Sequence, residues 1–103
     1  MTLPPESLEA LRRAAARRAD VSRLVLVERR VQPRSEDPFV DRTLVVLLDE
    51  LPSEPRAFEQ MQGLASLFAP ALRGSQCAIR VPSPAGLESA TRDAVVVYDR
   101  NAG

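Results

Sequence analysis

Three side chains are suited by type and place to meet a ligand: Arg80, Tyr98 and Arg100. Each stands at the end of an apolar, strand-like run. A guanidinium offers a planar fork that matches a carboxylate, and a tyrosine pairs an apolar ring with a hydrogen-bonding tip. Chemistry beyond binding has few candidates. The chain carries 14 arginines, no lysine, no histidine and one cysteine. Without histidine there is no imidazole base near neutral pH, no Ser-His-Asp or Cys-His pair and no imidazole metal ligand. Without lysine there is no Schiff base and no P-loop ammonium.

The remaining reactive types read as structural. Cys77 shares an apolar face with Ile79 and Val81, and activation of a thiol needs a base or cation beside it, so it reads as a buried, inert cysteine. Glu36, Asp37 and Asp41 gather oxygen ligands of the kind that hold calcium or magnesium. They lack the glycine turn and regular alternation of an EF-hand loop and read as a solvated acidic loop. Nothing sets two carboxyls across a sugar-sized cleft. Glycines stand only at Gly63, Gly74, Gly86 and Gly103, without a phosphate-cradling cluster. No catalytic residue, metal or cofactor is therefore expected, and the chain does not read as an enzyme.

Arginines cluster as Arg12, Arg13, Arg17 and Arg18, and again as Arg29, Arg30 and Arg34. Nucleic-acid binding needs clustered cations, with stacking aromatics for single strands. Four aromatics are present, of which Phe58 and Phe68 are assigned to the core, and Glu6, Glu9, Asp20 and Glu28 lie close enough to neutralise much of the charge. These features argue against nucleic acid and for a solvated or partner-facing arginine surface.

The elements that position these residues follow from pattern. At 103 residues, 45% hydrophobic and 27% charged, the chain reads as one folded domain, 1–103. Pro4, Pro5 and Glu6 open a helix expected to run to Ala19, with Leu8, Leu11, Ala15 and Ala19 on one face. Val21 to Gln32 and Thr43 to Asp49 read as two antiparallel strands joined by a long, protruding link, Pro33 to Asp41. Ser53 is the expected cap of a second helix, whose Phe58, Met61, Leu64, Ala65, Phe68 and Leu72 recur at three- and four-residue steps. Pro70 should end or kink it near Ala69, and Gly74 suits a left-handed turn. Cys77 to Val81 and Ala94 to Asp99 read as strands, with Gly86 to Asp93 either a short helical turn or a loop.

The expected fold is α+β: two helices on one face of a four-stranded, mainly antiparallel sheet, in the order α-β-β-α-β-β. Both faces of the first two strands are apolar, so the side away from the helices should also be covered.

The proline-led helix around Leu8 and Leu11, the strand Val21 to Val27, the second apolar strand, the Phe58 to Leu72 helix, the Cys77 to Val81 strand and the closing Val97-Tyr98-Asp99-Arg100 together resemble the C-terminal domain of the SseB-type enhanced serine sensitivity proteins. The resemblance implies a bacterial, cytoplasmic protein and carries over no catalytic residue.

Acidic and basic residues balance at 14 each, which removes colloidal repulsion and favours self-association. No apolar run approaches the roughly 20 residues that span a bilayer, and a lone cysteine fits a reducing cytoplasm. The expected function is a noncatalytic protein-interaction domain, self-associating as a homodimer or meeting another protein partner. Hiding about 500 Å² of apolar sheet would contribute on the order of 12 kcal/mol before association entropy is subtracted. The alternative is a small-molecule sensor for an amino acid, with a pocket between the helices and the sheet edge and Arg80 or Arg100 pairing its carboxylate.

Overall fold

Two prolines start the first helix where proline's fixed φ costs least. In the computed structural model, which describes residues 3–31, 39–72 and 77–101 and at 29–31 and 39–41 the backbone only, helix α1 spans Pro5–Ala16. The Pro4 carbonyl accepts from the amides of Ser7 and Leu8. The helix stops three residues short of the expected Ala19. Arg17 and Arg18 bond back to Ala14 and Ala15, three residues away, which tightens the last turn. The Arg18 guanidinium then grips both carboxylate oxygens of Asp20, at 3.0 and 2.8 Å. Ala19 is left outside the helix and exposed.

Strands β1 (Val21–Val31) and β2 (Phe39–Leu48) pair antiparallel, from Val21 opposite Leu48 to Val31 opposite Phe39. β2 starts four residues before the expected Thr43, because pairing with the long β1 carries Phe39 to Arg42 into the ladder. Arg34, Glu36 and Asp37, and with them most of the expected link, lie outside the described residues, as does Gly74.

Helix α2 spans Glu54–Phe68 and passes into a 3-10 turn, Ala69–Leu72, that contains Pro70. Ser53 occupies the N-cap position, but its hydroxyl makes no capping bond; its carbonyl accepts the Ala57 amide at 2.8 Å. The chain returns as β3 (Ala78–Arg80), parallel to β2 with Val45 opposite Arg80. The sheet is therefore mixed where a mainly antiparallel one was expected. A helical crossover brings the chain back to the starting end of the preceding strand, and the next strand then runs the same way.

A 3-10 turn (Pro84–Gly86) and a one-turn helix α3 (Leu87–Ala90) decide the Gly86 to Asp93 stretch in favour of a helical turn and add a third helix. Asp93 then adopts φ 58°, the left-handed region in which aspartate is among the better tolerated residues. Strand β4 (Ala94–Asp99) closes the sheet antiparallel to β1, giving the order β3-β2-β1-β4.

The main core lies between the sheet and helices α1 and α2. Leu24, Leu26, Leu44 and Val46 meet Leu11, Ala15, Leu64 and Phe68 there, all buried. Phe58, expected in this core, is instead 58% exposed. Helix α2 turns Ala57, Leu64 and Phe68 inward, and position 58 lies a hundred degrees further round. The opposite sheet face holds a second cluster, Val25, Val27 and Val45, each 1–5% exposed, with Leu47 and Ala94 against it. Leu87 of α3 shares a shallow cavity with Leu47, Arg23 and Asp99. The apolar centre of the far face, expected to need a cover, is thus already buried within one copy of the chain.

Candidate binding surfaces

Arg100 ties three strand ends together. Its guanidinium donates to both carboxylate oxygens of Asp49, just past β2, and to the Ala19 carbonyl in the turn before β1. Its amide donates to Ser22 of β1 at 3.0 Å. The Arg100 hydrogen bonds hold the Asp49 carboxyl below its ordinary range, against a smaller opposing effect of desolvation, and raise the Arg100 pKa in turn. Tyr98 is half-buried and packs against the main core. Arg80 ends β3 on the opposite edge of the sheet, exposed, with no ion pair among the described residues. None of the described cavities brings Arg80 together with Tyr98 or Arg100.

Three of the four arginines in α1 and the turn after it are held by partners within the chain. Arg12 donates to the Val97 carbonyl of β4 at 2.9 Å, Arg13 pairs with Glu9 one turn back at 2.7 Å, and Arg18 is held by Asp20. Arg17 is exposed. Arg29 and Arg30 follow the backbone of β1. Cys77 is half-buried beside the main core. Asp41 lies in β2 with its backbone opposite Arg29.

Sequence reasoning did not anticipate two features. The first is the outer edge of β4, which no strand among the described residues pairs with. Residue pairing runs Leu24 with Tyr98 and then Val25 with Val96, so Val97 is an extra residue, a bulge. The bulge turns Val97 and Tyr98 together toward the helix-covered core. Beyond it Val95, opposite Leu26, and Val96, opposite Val25, fall on opposite faces of the strand and are 67% and 53% exposed. Val95 borders a groove of about 390 Å³ that Leu3, Leu8, Arg12 and Leu26 also line. The run of three valines reads as a strand without saying which of them is buried; the bulge, which has no composition signature here, leaves Val95 and Val96 exposed.

The second feature is a cavity of about 520 Å³ between the first two turns of α2 and the 80–90 segment. Glu54 and Arg80 both line it, without an ion pair between them, along with Ala57, Phe58 and Met61. Ser83, 7% exposed, donates a long 3.4 Å hydrogen bond to Glu54 Oε1. The helical spacing of Glu54, Phe58 and Met61 is the one signal the sequence holds, and it reads equally as core periodicity.

No helix among the described residues is long and apolar enough to cross a membrane. Comparison with protein-family models, with curated proteins and with solved structures finds no match to this chain.

Proposed function

We propose that this chain is a noncatalytic association domain that pairs with a second copy of itself through the free edge of β4. The observation that carries the reading is the pair of exposed valines, Val95 and Val96, on an edge strand of six residues. An unpaired edge presents a row of backbone donors and acceptors to any strand that can lie beside it. The other edge offers little, since β3 has only three residues. The middle of the far sheet face offers little as well, because Val25, Val27 and Val45 are buried in the monomer.

A second copy fits this edge by symmetry. A two-fold axis at Val95 sets the two Val95 side chains together on the helix-covered face, beside the Leu3 and Leu8 groove. It sets each Val96 opposite the partner's Ala94 on the other face, since directly opposed residues in an antiparallel pair share a face. The Arg12 bond to Val97 survives this register and closes the rest of the edge to pairing. A zero net charge adds no long-range repulsion between copies.

An edge of this length gives a modest interface, with a dissociation constant of about 10–100 µM. Sedimentation velocity on the wild type from about 5 to 500 µM should show monomer passing to dimer. Val95→Arg and Val96→Arg should stay monomeric throughout while keeping the wild-type circular dichroism. A wild type that remains monomeric at the top of that range rejects the proposal, as do valine variants that dimerise undiminished.

A further inference from the structure

The cavity beside α2 carries two opposite charges that do not cancel each other. Arg80 and Glu54 line the same space, yet lie beyond ion-pair distance, and the one hydrogen bond at Glu54, from Ser83, is long. Arg12, Arg13, Arg18, Arg23, Arg42 and Arg100 each hold a carboxylate or a carbonyl, whereas Arg80, on the cavity wall, has no such partner among the described residues. Ala57, Met61 and Phe58, the last 58% exposed, line the same space. An aromatic ring left in water on the wall of a cavity has apolar area to give to a ligand.

We infer that this cavity binds a small zwitterion with an apolar substituent, an α-amino acid of the leucine, methionine or phenylalanine kind. Its carboxylate meets the Arg80 guanidinium, its ammonium meets Glu54, and its side chain lies on Phe58 and Met61. The charge pattern selects this class. A ligand with one charge answers only Arg80 or Glu54, whereas a zwitterion pairs with both. A cavity of about 520 Å³ is within the range that small ligands occupy. The site is far from the β4 edge in the sheet order, at the β3 side, so it stands or falls independently of self-association.

Phenylalanine, phenethylamine and 3-phenylpropanoate separate the contributions, because the second lacks the carboxylate and the third the ammonium. Titration calorimetry of the wild type should show phenylalanine binding, with each truncated analogue weaker by about ten- to a hundredfold. Arg80→Gln should weaken phenylalanine by a similar factor and leave 3-phenylpropanoate as the analogue most reduced by the change. Glu54→Gln should do the same for phenethylamine. Both variants must keep the ligand-free melting temperature of the wild type within a few degrees, and Arg80→Gln, an exposed position, serves where Glu54→Gln disturbs Ser83. Absence of binding of phenylalanine, leucine and methionine alike at about 20 mM overturns the inference. Equal affinity for phenylalanine and its two analogues overturns it too, as does undiminished binding by Arg80→Gln.

Discussion

Arg100 sits at the last residue of an apolar run, the place where a ligand-binding arginine was expected, and it serves the fold instead. It joins β4 to Asp49 and to the turn before β1, while Arg18 and Asp20 lock the same turn from the other side. Both aspartates consequently titrate below their ordinary range: Asp49 through the Arg100 hydrogen bonds, Asp20 through those of Arg18, each partly opposed by desolvation. A carboxyl with a depressed folded pKa contributes stability that is complete above its unfolded value and is lost as pH falls through the folded one. The unfolded value for aspartate is near 3.9, so this contribution is flat from neutral pH down to roughly 5 and is lost progressively below about 4, as pH falls through the depressed folded values. Asp49→Asn should lower the melting temperature at pH 7 and narrow the gap to the wild type as pH approaches 3. A constant gap across that range, read by thermal melts in matched ionic strength, would show that the Asp49 carboxylate adds nothing through its charge. Residue types alone could nominate Arg80, Tyr98 and Arg100 as equals. What separates them is that Arg100 meets a carboxylate across 51 residues of chain, and spacing in sequence does not contain that.

At the scale of elements, α2 shows how periodicity identifies a helix more surely than it identifies the helix's buried face. Phe58, Met61, Leu64, Ala65, Phe68 and Leu72 all match a helical repeat, but a helix on a sheet buries only one stripe. Leu64 and Phe68 are fully buried and Phe58 stands out in water. Leu64→Ala should therefore cost about 2–5 kcal/mol in chemical denaturation, from lost transfer energy and the cavity left behind. Phe58→Ala should stay within about 0.5 kcal/mol of the wild type, as surface substitutions do. Comparable losses at both positions would mean that Phe58 packs in the folded protein. The same helix explains the sheet's one parallel pair. Both flanking strands and the crossover between them were legible as separate runs, and β4 was found to its end residues. Direction was not legible, because an apolar strand of three to five residues reads alike in parallel and antiparallel pairing. The β4 bulge escaped for a related reason. Val95, Val96 and Val97 are the same residue, and only the register against β1 tells which one is extra.

For the whole molecule, the question is which apolar surface the chain keeps to itself and which it leaves for others. Two apolar sheet faces beneath two helices suggested that a second copy covers the far face. Val25, Val27 and Val45 are buried there without one, and α3, read as either loop or turn, sets Leu87 on that side. The order of elements was a sound guide to the α+β class and the layer of helices. It does not distinguish function, since the likeness to SseB-type domains rests on an arrangement that α+β domains of different activity can share. Placing a hydroxyl on each valine surface tests the distinction between kept and shared surface. Val45→Thr preserves shape but buries a hydroxyl at a site 1% exposed, and should cost about 1–3 kcal/mol in unfolding experiments. Because the cost falls on the monomer, it should be the same at every protein concentration. Val96→Thr, at a half-exposed site, should leave dilute-protein stability unchanged and act only where copies meet. Were Val45→Thr tolerated in dilute solution but damaging at high concentration, the far face would be an interface after all, and the β4 edge would lose its claim to be the surface through which this chain associates.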